Sequence, residues 1–100
     1  MAQKVRVRPS EPRGNDFDEV VDTLNVCRNG VYFASERASY QKDMRLFVTY
    51  PYDIGHGAIN QEYLGLVVRI DQLPDGRRGI AVELKMKINL GARDTIAKGH

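Results

Sequence analysis

Between Lys4 and Arg8 the chain reads K-V-R-V-R, a strict apolar–polar alternation. Period two places Val5 and Val7 on one face and the basic residues on the other, which predicts a half-buried strand. Pro9 and Pro12 close it, and Gly14-Asn15-Asp16 reads as a loop or turn. Asp18–Val26, rich in Val, Thr and Leu, predicts a second strand. Arg28-Asn29-Gly30 is a turn signal of the Asn-Gly type with apolar residues on both sides. Val31–Ala34 is therefore expected to return as the third strand, hairpinned to the second. Met44–Tyr50 alternates as M-R-L-F-V-T-Y, a fourth strand that Pro51 ends. Tyr63–Ile70 and Gly79–Ile88 read as a fifth and a sixth, with Pro-Asp-Gly marking the turn between them. The connections Ser35–Lys42 and Asp53–Gln61 are polar or glycine-bearing, and Tyr40 is the one large apolar residue of the first. Asn89–His100 is thin in large apolar residues and reads as a short helix or a frayed tail.

Six short strands with turn signals and no helical period define an all-β barrel or sandwich. With 100 residues, 42% of them hydrophobic, the chain has material for one small core, in a single domain over residues 1–88 followed by the tail 89–100. The formal net charge of +2 argues against a DNA-coating protein. That value conceals alternating blocks: +3 over residues 1–13, −4 over 14–23, +2 over 24–46, −3 over 47–75 and +4 over 76–100. The basic first block could face a small anion; the plainer reading of any one block is a solvated face. No stretch of about 18 apolar residues predicts a membrane span, and no charged-then-apolar leader opens the chain.

Little in the sequence points to catalysis. His56 and His100 are far apart, no His or Cys spacing suits a metal, and Cys27 has only His56 as an internal partner for nucleophilic chemistry. A single Cys excludes an intramolecular disulfide. The acids Asp16, Asp18 and Glu19 lack the loop pattern of a calcium site, and glycine-rich phosphate loops are missing. The reading is a non-enzyme without cofactor. Phe47, Tyr50, Tyr52 and Tyr63 could form a stacking platform for single-stranded nucleic acid, but aromatics on alternating strands more often fill a barrel core or rim.

One segment carries more. T-L-N-V-C-R-N-G-V-Y-F, Thr23–Phe33, resembles the second signature of PilZ domains, in which Asp or Asn, any residue, Ser, any two residues and Gly lie between two strands. Asn25 and Gly30 match, and Cys27 stands where Ser is usual. The likeness continues through Met44–Val48, through G-L-V-V-R-I at Gly65–Ile70 and through G-I-A-V-E-L at Gly79–Leu84, so it covers roughly residues 4–88. The resemblance implies a six-stranded antiparallel barrel in the bacterial cytoplasm that binds cyclic di-GMP and relays the signal to an effector protein or attached domain. It implies ligand contacts from Asn25, Cys27 and Gly30 on the outer surface of the barrel; Arg28, in the turn, could touch a phosphate, with a solvated arginine as the plainer reading. Gly30 would there permit the positive φ and close backbone approach that a ligand-lining turn needs. An arginine fork matches guanine acceptors, and its plane stacks on purines.

The family's first signature, Arg, any three residues, Arg, is missing. Arg6 and Arg8 are two apart, Arg8 and Arg13 five apart, and Lys4, correctly spaced from Arg8, lacks the planar fork. Arg6 and Arg8 remain the basic candidates for the ligand. The expectation is that an arginine loop lies upstream of Met1 and that this chain binds cyclic di-GMP weakly or not at all. The alternative is a degenerate PilZ-like barrel acting only as a protein–protein interaction module.

Overall fold

The structure, a computed structural model, describes residues 3–10, 17–52 and 61–88. They form six strands: β1 (Lys4–Pro9), β2 (Glu19–Cys27), β3 (Gly30–Ser35), β4 (Arg45–Thr49), β5 (Glu62–Gln72) and β6 (Arg78–Ile88). All neighbours are antiparallel, and the sheet closes on itself in the order β1-β2-β3-β6-β5-β4. The protein is an all-β, six-stranded antiparallel barrel. The expected C-terminal helix or tail, residues 89–100, lies outside the described residues, as does His56. Among the described residues no helix is long and apolar enough to cross a membrane.

The alternation read along the chain is the alternation of the barrel wall. Val5, Val7, Leu46, Val48, Val67 and Ile80 are fully buried, and the residues between them face outward. Closure leaves no continuous open edge, which an isolated sheet of this size would present. Phe17 and Tyr40 add to the core from outside the strands. Tyr40, in the β3–β4 connection, is fully buried edge-on against Phe17 and Phe33, with centroids 4.9 and 5.6 Å away.

The opposed charge blocks meet across the β1–β2 ladder. Lys4 pairs with Asp22 at 3.0 Å, and Arg6 grips Asp18 through two nitrogens. The arginine holds the Asp18 carboxyl below its ordinary value, and the same hydrogen bond raises the Arg6 guanidinium. Arg8 reaches across to Glu62 at 2.8 Å and lies 4.8 Å over the Phe47 ring.

Two turns use left-handed backbone. Gly76 follows Pro74-Asp75 with φ +88°, and its N–H donates to the Leu73 carbonyl at 3.1 Å. Asp43 does the same work at φ 71° without glycine's freedom, while Met44 N–H donates to Gln41 O. Asp43→Gly is expected to raise the unfolding free energy by about 0.5–1 kcal/mol. Urea denaturation checks it; a loss of stability would show that the Asp43 side chain contributes more than its backbone costs.

Candidate functional site

Barrel strands turn alternate residues outward, so neighbouring strands form rows across the outer surface. In the ladders Asn25 opposes Tyr32, Tyr32 opposes Ala81, and Ala81 opposes Arg69. In the next row Cys27 opposes Gly30, Gly30 opposes Glu83, and Glu83 opposes Leu66. Ala81 and Gly30 offer a methyl group and no side chain, so the middle of these rows is hollow. The result is an open groove of about 670 Å³ across β2, β3, β6 and β5.

Two bulges set its lining. The β2–β3 register shifts between Thr23 and Asn25, so that Asn25, not Leu24, stands opposite Tyr32 on the outside. The β5–β6 register shifts between Val67 and Arg69, which brings Arg69 into the same row. Each bulge has one extra residue, Leu24 or Val68, and both are exposed.

Tyr32 forms one wall. Its hydroxyl donates to Asp71 Oδ2 at 2.9 Å, and this bond is the main reason its phenol is pushed up from the ordinary value. To reach Asp71 the side chain crosses β6 over Gly79, where a Cβ would stand 2.0 Å from the hydroxyl oxygen. Arg69 packs beside the ring, 5.7 Å from its centroid, and donates to Asp71 at 3.1 and 3.2 Å. The ring is thus held away from Ala81, and the groove floor stays uncovered.

Of the residues singled out by sequence, Asn25, Cys27 and Gly30 all line this groove. Cys27 is exposed. Arg28 is exposed in the hairpin turn next to it and is not among the lining residues. Of the two properties expected of Gly30, positive φ and close backbone approach, the structure shows only the second, and toward β6. Its φ is not positive, and the two-residue turn is Arg28-Asn29, with Gly30 already opening β3. What requires glycine is close approach to β6: a Cβ there would lie 2.9 Å from the Val82 carbonyl oxygen. The turn is pinned beside it, Leu84 N–H donating to Asn29 O at 2.7 Å.

Arg6 and Arg8 are not brought to the groove. β1 runs antiparallel to β2, with Arg6 opposite Val20, so Cys27 lies roughly 20 Å away along the strand. Both guanidinia are already spent on Asp18 and Glu62. The start of β1, in contrast, approaches the groove end: Gln3 and Thr23 exchange backbone and hydroxyl hydrogen bonds at 2.8 and 3.3 Å. The four aromatics weighed as a stacking platform do not share a face. Tyr50 and Tyr63 pack against the core, while Phe47 lies outside under Arg8 and Tyr52 under Arg6.

Sequence reasoning missed Tyr32, Arg69, Asp71 and Glu83 as parts of one site. Tyr32, Arg69 and Glu83 lie in segments that read as plain strand and Asp71 just beyond the expected end of the fifth; the β3–β6 and β5–β6 ladders, with the bulge at Val68, assemble them. The fold and site define a small closed β-barrel with a mixed polar groove on its outer wall. No protein-family model, no curated protein and no solved structure matches the chain.

Proposed function

We propose that the protein is a non-enzymatic, PilZ-like signalling barrel whose outer groove at the β2–β3 hairpin is a nucleotide-facing surface. The observation that carries this reading is the convergence of Asn25, Cys27 and Gly30, picked out by the resemblance alone, on one groove of about 670 Å³. A groove of this size accepts a planar base. Among the described residues the lining holds one cation, Arg69, and that is shared with Asp71, so the two phosphates of cyclic di-GMP would find little charge there. With Arg6 and Arg8 paired elsewhere, affinity in this chain is weak. A basic segment arriving ahead of Gln3, beside Thr23, would supply the missing cations, and its ordering would relay the signal to a bacterial cytoplasmic effector or attached domain.

Calorimetry and NMR titration with cyclic di-GMP test this. The expected Kd is weaker than about 100 μM, with amide shifts confined to Asn25, Cys27, Gly30 and their groove neighbours. A sub-micromolar Kd would refute the argument from charge. Shifts absent at millimolar nucleotide, or clustered away from the groove, would leave the barrel as a protein–protein interaction module.

A further inference from the structure

The groove carries an acid where an anionic ligand would meet one. Glu83 stands in the row with Cys27 and Gly30, its side chain 45% exposed, paired with Lys85 at 2.9 Å. That pair is exposed on both sides and weak, and it yields to a better donor. A carboxylate repels phosphate but accepts two parallel N–H bonds from a planar donor pair. The N1–H and N2–H₂ edge of guanine is such a pair. The corresponding edge of adenine offers one donor and one acceptor, and the acceptor opposes the carboxylate.

The space in front of Glu83 suits a flat ring. Ala81 and Gly30 are the floor, and Tyr32 leans away toward Asp71. Diagonal neighbours across a ladder, as Tyr32 and Glu83 are, stand roughly 7–8 Å apart at the backbone, and the lean of Tyr32 widens that gap. A guanidinium from a partner protein is the other planar donor pair. It would bring a positive charge toward Arg69, whereas guanine is neutral.

We propose that Glu83 is the base-selecting residue of the groove, accepting N1–H and N2–H₂ of a guanine that lies over Ala81. The inference rests on the reading of the groove as a nucleotide site. Its test is an NMR titration of the full chain and of Glu83→Gln with cyclic di-GMP, cyclic di-AMP and N-acetyl-arginine amide. The natural chain is expected to prefer the guanine nucleotide about tenfold. Glu83→Gln, at a half-exposed position where folding is unaffected, is expected to bring that ratio below about threefold, because one acceptor becomes a donor. Equal affinity of the natural chain for both nucleotides, or a preference unchanged in Glu83→Gln, overturns the role of Glu83 while the nucleotide site stands. Shifts with neither nucleotide overturn the site itself, and a response to the arginine amide alone assigns Glu83 to a guanidinium partner.

Discussion

Tyr40→Ala is expected to lower the unfolding free energy by about 3–5 kcal/mol. Small domains are stable by only about 5–15 kcal/mol, so this single change threatens the barrel. The side chain is fully buried, its ring lies edge-on to Phe17 and Phe33, and its hydroxyl donates to Glu19 at 2.7 Å. The same carboxylate accepts from Ser35 Oγ at 3.0 Å and faces Arg37 at 3.9 Å. Truncation therefore opens a cavity and also strips a donor from a carboxylate whose side chain is only 17% exposed. Tyr40→Phe separates the two effects: the packing remains, and the expected loss is about 1–2 kcal/mol.

Both variants also differ from the natural chain in alkaline behaviour. Burial first, and then donation to Glu19, push the Tyr40 phenol well above its ordinary value of 10.0. Above that pH the unfolded chain releases a proton that the folded chain keeps. The stability linked to Tyr40 is thus fully present below about pH 10 and declines as pH rises, by about 1.4 kcal/mol per unit. Tyr40→Phe and Tyr40→Ala are both expected to lack this slope, since neither carries the phenol. Urea denaturation at pH 7, 10 and 11 measures both quantities; a loss under about 1 kcal/mol for Tyr40→Ala would show that the β3–β4 connection does not seal the core.

The strands were legible because a barrel wall repeats every two residues, and K-V-R-V-R or M-R-L-F-V-T-Y states that period openly. Tyr40 was visible as the lone large apolar residue of a polar loop, but its depth was not, since tertiary packing alone sends a loop side chain into the core. The charge blocks were countable; their mutual neutralisation needed the register that puts Lys4 opposite Asp22. Asn25, Cys27 and Gly30 could be named because they sit together in sequence. Arg69 and Glu83 could not, because Glu83 meets Tyr32 only through the long-range β3–β6 ladder and Arg69 joins that row only through the bulge at Val68, and nothing in L-V-V-R-I distinguishes a bulged strand from a regular one. Arg6 and Arg8 were candidates on charge alone, and their direction along β1 takes them to the wrong end.

Gly79→Ala is expected to weaken cyclic di-GMP-induced shifts in the groove at least about tenfold, although Gly79 is not among the residues that line it. The new methyl group would occupy the position where the Tyr32 hydroxyl passes, 2.0 Å from the oxygen and 2.6 Å from Cζ. The ring is the part that can move, since the backbone of β6 is held on both sides by β3 and β5. Leaving Gly79, Tyr32 loses Asp71 and swings along its row toward Ala81, which is the uncovered floor. Two observables follow, and only one involves a ligand. The Tyr32 phenol, raised mainly by its bond to Asp71, should titrate lower in the variant, toward the ordinary tyrosine value, as read from its ¹³Cζ shift. The groove should then fail to respond to nucleotide because its floor is covered. An unchanged Tyr32 titration would show that the ring does not depend on the glycine, and the explanation of how the groove stays open would fall whatever the ligand is. A lowered titration with an undiminished nucleotide response would place the binding surface off the Ala81 floor, toward Asn25 and Cys27 alone.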